Sequence, residues 1–294
     1  MIVDRPAASS ICFLEHIEEA ALSHPVSKQA SWSGRTVCAM ALVAVLILAA
    51  ALQPARAQEA PVIAGAADLQ FALEEIAEAF HAETGQAVKL ALGSSGNFAR
   101  QIRQGAPFQL YMSADESYVL ALERDGFTRD AGTLYGVGRI VVIAPHGSPL
   151  APDAALDDVA AALADGRLKR FAIANPEHAP YGKRAEEALR RRGIWDAIRP
   201  RLVLGENVSQ AAQFATSGNA EGGIIAYSLA LSPKVSALGR YVLIPAEWHS
   251  PLRQRMVLLR DAGPVATRFY AYVQQPAARA ILRKHGFLLP GDEG

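Results

Sequence analysis

The chain has 294 residues, 51 % of them hydrophobic and 20 % charged, with 29 basic and 29 acidic side chains and a formal net charge of zero. That balance supplies neither the basic field that nucleic acid demands nor the acidic excess of a disordered tail. Both cysteines, Cys12 and Cys38, lie before residue 57, so the chain beyond it has no disulfide and no thiol ligand.

Residues 37–52 are sixteen consecutive apolar residues behind Lys28 and Arg35. Gln53-Pro54 break the run, and Ala55-Arg56-Ala57 supply a small-x-small cleavage pattern. This reads as a secretory signal, cut near Ala57 to leave a periplasmic protein. The competing reading is a membrane anchor, for which sixteen residues fall short of the ~20 that span a bilayer. The remaining 237 residues keep 25 basic and 25 acidic side chains, enough chain for two lobes that each bury a core.

Beyond the cut, strands and helices alternate. Val62–Ala66 is a short apolar strand, and Asp68 is placed to cap a helix whose stripe runs Leu69, Ala72, Leu73, Ile76, Ala77, Phe80 and stops at Gly85. Strands follow at 88–92 and 108–112, with a helix after Ser95 between them and another from Glu116 to Arg124. Past a Gly136/Gly138 linker come strand 140–144, helix 155–164, strand 171–174, helix 182–192, strand 201–204, helix 208–216 and strand 223–227. Strands at 241–244 and 254–259 and a final helix near 263–285 close the pattern. Continuous apolar strands between amphipathic helices indicate α/β architecture with mostly parallel sheets covered on both faces. No fixed-period repeat interrupts it.

In such sheets ligands sit where strand ends enter helices. Five junctions qualify: Ala66-Ala67-Asp68-Leu69, Ser94-Ser95-Gly96-Asn97, the turn from Pro176 to Gly182, Gly205-Glu206-Asn207-Val208, and the strand ending Ala226-Tyr227-Ser228. The second is an anion cradle: two hydroxyls flank free N–H groups at the positive end of a helix, with no Gly-Lys-Ser/Thr to mark a nucleotide loop. Taken alone it is equally a serine-capped helix that needs no ligand. His178 and His285 lack partners at metal-ligand spacing and read as structural. Trp195 and Trp248 read as core anchors. Glu186 and Glu187, among Arg184, Arg190, Arg191 and Arg192, read as a solvated helix face.

The run Ser94-Ser95-x-x-x-Ala-Arg-Gln-Ile-x-x-Gly-Ala-Pro, with Ser113-Ala114-Asp115, Pro176-Glu177-His178 and Arg283-Lys284-His285-Gly286-Phe287, resembles the periplasmic molybdate-binding proteins of bacterial ABC importers. The resemblance extends from about residue 61 to 290. It implies the two-lobe periplasmic-binding-protein fold, with lobe 1 at 58–138 and 245–294, lobe 2 at 139–244, and residues 1–57 removed. It also implies a monomer that hands a small tetrahedral oxyanion, molybdate or tungstate, to an inner-membrane permease and ATPase, with no cofactor and no metal ligands in the protein. In that family two hydroxyls, three backbone N–H groups and a tyrosine hold the anion. Carried onto this chain, Ser95 supplies a hydroxyl and an N–H, Tyr181 a backbone N–H and Val208 another. Two positions depart. Asp68 stands where the family has serine, and Ala226 stands where it has its tyrosine, with Tyr227 one residue later as the substitute.

Asp68 bears on the choice of ligand. An ionised carboxylate ~4 Å from a dianion meets roughly 8 kcal/mol of repulsion at an effective dielectric of 20. Holding an aspartic acid protonated at neutral pH costs about 4 kcal/mol from its ordinary pKa. A protonated Asp68 that donates a hydrogen bond is therefore the cheaper arrangement for a dianion. A protonated oxyanion, a cation or a metal chelate would instead suit the ionised form, and a mere helix cap would suit any ligand.

Two other classes remain in view: a signalling module that binds the anion and docks to a receptor, and an exported enzyme. Against the enzyme, there is no Gly-x-Ser-x-Gly elbow and no thiol beyond residue 57. The export reading has a direct check. The intact mass of the exported protein should place its N-terminus at Gln58 or within a residue or two, and a membrane-bound species retaining 37–52 would contradict it.

Overall fold

The computed structural model describes residues 59–291. The apolar run 37–52 and the Ala57 cleavage site lie outside the described residues. Strand β1 (Val62–Ala66) passes through a 3-10 turn, Ala67–Leu69, into helix α1 (Gln70–Thr84), which Gly85 ends in a left-handed conformation at φ 68°. Then come β2 (Lys89–Gly93), α2 (Ser95–Arg103), β3 (Phe108–Ser113), α3 (Glu116–Arg124) and β4 (Thr133–Gly138). A second run holds β5 (Ile140–Pro145), α4 (Asp157–Ala164), β6 (Phe171–Ala174), α5 (Pro180–Arg191), α6 (Trp195–Ile198), β7 (Leu202–Gly205), α7 (Val208–Thr216) and β8 (Gly222–Ala226). The chain continues through α8 (Tyr227–Ala230), α9 (Pro233–Ser236), β9 (Gly239–Leu243), β10 (Leu252–Leu258), α10 (Pro264–Val273) and α11 (Pro276–Lys284).

These strands build two five-stranded sheets, ordered β2-β1-β3-β10-β4 and β7-β6-β8-β5-β9. Each is mixed: four of its five strands run the same way, as expected, and one runs against them. In the first, β10 runs antiparallel to β3 and β4; in the second, β5 runs antiparallel to β8 and β9. The connectivity explains this. Residues 136–138, read from sequence as a linker, belong to β4, and only Arg139 separates β4 from β5 in the other sheet. The extended chain thus runs from one sheet into the next, and it returns through 244–251. Arg139 ties the two crossings together, its Nη2 donating to the Ile244 carbonyl at 3.1 Å and its own carbonyl accepting from Tyr227 N at 2.9 Å.

Alternation along the first sheet buries both faces. Ile63, Leu110, Met112 and Met256 pack with Leu73, Ile76, Phe80 and Phe269, while Ala64, Tyr111 and Val257 pack with Phe98, Ile102, Val119 and Leu122. The second sheet centres on Ile140–Ala144, Phe171–Ala174 and Ile224–Ala226. The single closing helix expected at 263–285 is two, because Gln275 precedes Pro276 and is held extended at ψ 156°, where a helix cannot continue.

Phe80 anchors the first core edge-on to Phe269 and Tyr272, with ring centroids 5.1 and 5.4 Å away. Phe80→Ala should lower the urea-unfolding free energy by about 3–5 kcal/mol. A loss under about 1 kcal/mol would contradict that packing.

Candidate functional site

A cavity of about 10 Å³, near the size that holds one water, opens where the two sheets' strand ends meet. Its walls come from the C-terminal ends of five strands: Ala66-Ala67-Asp68 after β1, Gly93-Ser94-Ser95 after β2, Ala114 after β3, Ala179-Pro180-Tyr181 after β6 and Asn207-Val208 after β7. Helices α2, α5 and α7 start at this wall, so their first N–H groups, which have no intrahelical acceptor, gather around one small volume.

Hydrogen bonds inside the wall sort the donors. Ser94 Oγ donates to the His178 carbonyl at 2.5 Å, so its proton is already engaged. Gly96 N donates to the same carbonyl at 2.9 Å. A Cβ on Gly96 would sit 2.6 Å from that oxygen, so only glycine admits the approach. Ser95 differs: its Oγ accepts from Ala114 N at 3.0 Å, which leaves the hydroxyl proton for another acceptor. Asn207 caps α7 by accepting from Ser209 N and Gln210 N at 3.0 and 3.1 Å, and Val208 N–H precedes both. At α5 the first residue is Pro180, which has no N–H, so the first amide donor of that helix is Tyr181.

Asp68 is buried, with 1 % of its surface exposed, and it does not cap a helix. Its Oδ2 accepts from Tyr181 Oη at 2.9 Å and from Gln254 Nε2 at 2.7 Å. Gln254 in turn accepts from Tyr135 Oη at 2.7 Å, and Ser228 Oγ donates to the Asp68 carbonyl at 2.8 Å. Asp68 Oδ1 is buried without a hydrogen-bond partner. Burial raises the Asp68 pKa to about 6, against the pull of the Gln254 and Tyr181 bonds. Burial and the Asp68 charge hold the phenols of Tyr181 and Tyr135 well above the ordinary tyrosine range, so both stay protonated donors. At a pKa about 6, protonating Asp68 near pH 7 costs only about 1 kcal/mol, below the repulsion it relieves.

Four of the five site residues expected from sequence, Asp68, Ser95, Tyr181 and Val208, line this cavity. Tyr227 does not: β8 ends at the buried Ala226, and Tyr227 opens α8 with its ring 6.2 Å from Tyr241. Sequence reading missed Gln254, a polar residue on the inward face of β10 between Leu252 and Met256, and its partner Tyr135. It also left Arg184 and Glu187 on a solvated face. Arg184 is instead buried, bridging Asp115 Oδ2 at 2.8 Å and Glu187 Oε1 at 2.6 Å, while Glu187 Oε2 accepts from Ser250 N at 2.6 Å. His178 bonds Ser94 and faces Glu206 Oε2 at 3.6 Å, and His285 bonds Glu75 at 2.9 Å. Among the described residues no group of three or more His, Cys, Asp or Glu is placed to hold a metal ion.

Residues 61–288 match the family model of bacterial extracellular solute-binding proteins. The chain belongs to that family. This solute-binding protein is 34 % identical over 257 residues to the molybdate-binding protein ModA of Rhodobacter capsulatus, covering 86 % of this chain and 97 % of the relative. It is 33 % identical over 247 residues to ModA of Azotobacter vinelandii, covering 83 % and 96 %. Among solved structures, the periplasmic molybdate-binding protein of Azotobacter vinelandii superposes with a TM-score of 0.70 at 28 % identity, covering 79 % of this chain and all of that one. The solute-binding protein thus shares the periplasmic-binding-protein fold.

Asp68 makes the stability of the ligand-free protein pH-dependent in a stated direction. Its folded pKa lies above the unfolded one, so folding is penalised once Asp68 must ionise. The penalty is absent below the ordinary value of 3.8 and complete above about 6. Asp68→Asn removes it. The variant's unfolding free energy should gain on wild type by about 3 kcal/mol between pH 4 and pH 8, measured by urea titration. A gap that stays constant with pH would contradict the raised pKa.

Proposed function

We propose that this solute-binding protein is exported, with its leader cut near Ala57, and captures a small tetrahedral oxyanion for an inner-membrane ABC importer. Molybdate and tungstate are the leading ligands. The observation that carries the reading is the Ser95 hydroxyl, whose acceptor side is taken by Ala114 N–H and whose proton is left for the cavity, beside the amide ends of α2, α5 and α7. Such converging donors suit a fully deprotonated anion. The names of the relatives from Rhodobacter and Azotobacter, both molybdate-binding, point the same way.

A tetrahedral oxyanion is larger than a water, so the walls part to admit it and close around it. Residues 59–138 and 245–291 move as one lobe and 139–244 as the other, turning about Arg139 and the 244–251 return. Closure strips water from the anion against donors already in place. The closed form then presents both lobes to the permease.

Calorimetric titration of the mature protein with molybdate, tungstate, sulfate and phosphate should give its tightest binding with the first two. Ser95→Ala should weaken that binding by about ten- to a hundredfold, the loss of one charge-assisted hydrogen bond worth roughly 1.5–3 kcal/mol. Unchanged affinity in Ser95→Ala would move the anion elsewhere.

A further inference from the structure

The two oxygens of Asp68 have unequal surroundings. Oδ2 receives two donors, Tyr181 Oη and Gln254 Nε2, at 2.9 and 2.7 Å. The Gln254 amide is oriented by Tyr135 Oη, which donates to its Oε1 at 2.7 Å, closer than that hydroxyl's other acceptor, the Ser113 carbonyl at 3.2 Å. Both lone pairs of Oδ2 are therefore committed, and a proton on this carboxyl sits on Oδ1. Oδ1 is buried, has no partner and belongs to a residue of the cavity wall.

We propose that closure around a dianion loads one proton from solvent onto Asp68 Oδ1, so that the anion and a proton are captured together. The proposal rests on the oxyanion reading above and adds a co-ligand to it. The proton is taken from bulk water and stays on the carboxyl. Its O–H bond then points at an anion oxygen as a hydrogen-bond donor. No proton passes to the anion and no bond of the anion changes.

Among the described residues, no cation is bonded or paired to Asp68. The titratable groups that face Asp68 are Tyr181 on α5 and Tyr135 on β4, with Tyr111 of β3 behind Tyr135. All three are phenols with raised pKa values and cannot supply positive charge. The other contacts, Gln254 on β10 and Ser228 on α8, are neutral. Of the cations where the sheets meet, Arg184 is bound to Asp115 and Glu187, Arg139 donates to the Ile244 carbonyl, and His178 is bound to Ser94 and faces Glu206. A dianion therefore meets Asp68 without an ion-paired counter-charge, and a proton on the carboxyl removes the conflict.

Two consequences are measurable. Affinity falls by about tenfold per pH unit once the free protein has ionised Asp68, because each capture must then recruit a proton. The apparent binding enthalpy depends on the buffer, with a slope equal to the number of protons taken up. The test is calorimetric titration of the mature protein with tungstate near pH 8 in HEPES and in Tris, repeated near pH 6 in MES and in Bis-Tris. Tungstate is a full dianion over this range and brings no proton of its own. Wild type should take up close to one proton near pH 8 and fewer near pH 6. Asp68→Asn, which keeps a donor at this site and cannot titrate, should take up none, bind more tightly than wild type near pH 8 and lose the pH slope. Binding by wild type with no proton uptake near pH 8 would overturn the proposal, as would uptake that persists in Asp68→Asn. Much weaker binding in a folded Asp68→Asn would also overturn it, since that outcome requires an ionised carboxylate. If Asp68→Asn does not fold, the wild-type slope decides alone. Absence of tungstate and molybdate binding at either pH would instead defeat the oxyanion reading itself.

Discussion

Asp68 Oδ2 draws its two hydrogen bonds from opposite sides of the molecule. Gln254 lies on β10 of the first sheet, and Tyr181 opens the helix that follows β6 of the second. A buried carboxylate is costly, and so are a buried phenol and a buried amide that lack acceptors, at about 1–3 kcal/mol for each unsatisfied group. The three satisfy one another only when the two sheets meet as they do here. The glycine at Gly138 is part of the same constraint, since a Cβ there would strike Tyr181 Oη and Gln254 Nε2. The closed cleft is thus organised around one carboxylate, and that carboxylate is left with a single unanswered oxygen.

The remaining contacts between the sheets are graded by exposure. Asn97 bonds Glu206 at the open rim, where water weakens such pairs to about 1 kcal/mol or less. Arg184 with Asp115 is far more sheltered, at 11 % and 17 % side-chain exposure, and Ser209 Oγ donates to the Ala67 carbonyl at 2.9 Å deeper in. Only the chain crossings at Arg139 and 244–251 join the sheets covalently. Under the proposed function, a ligand that binds the closed form better than the open one would shift an equilibrium held by a handful of polar contacts. Specificity would then fall to the cavity wall, with Ser95 and the amides of Tyr181 and Val208 as proposed donors and Asp68 as a donor only if it is itself protonated.

Much of this was legible in the sequence because the strands are continuous apolar runs with turn residues at each end. Residues 62–66, 140–144 and 171–174 could hardly be anything else, and the Ser94-Ser95 junction announced a helix start at a strand end. The antiparallel strands were not legible, because β5 and β10 carry the same apolar residues that a parallel strand would. Arg184 and Glu187 sit among arginines on an amphipathic helix, so composition placed them in water; their burial depends on Asp115 and Ser250, distant in sequence. Tyr227 was a one-residue matter, since β8 stops at Ala226 and the next side chain turns towards Tyr241. Gln254 left a usable signal, a polar residue at an inward position between Leu252 and Met256. Its meaning depends on Asp68, Tyr181 and Tyr135, which only the fold brings together.

If one anion is held between Ser95 and Asp68 Oδ1, as proposed, a crystal structure of the mature protein with tungstate, located by the anomalous scattering of tungsten, will show it. One tungsten should lie in this cavity, with separate tungstate oxygens within hydrogen-bond distance of Ser95 Oγ and of Asp68 Oδ1, and with Oδ2 still held by Tyr181 and Gln254. A tungsten bound outside this cavity, or an Asp68 side chain turned away from the anion, would contradict it.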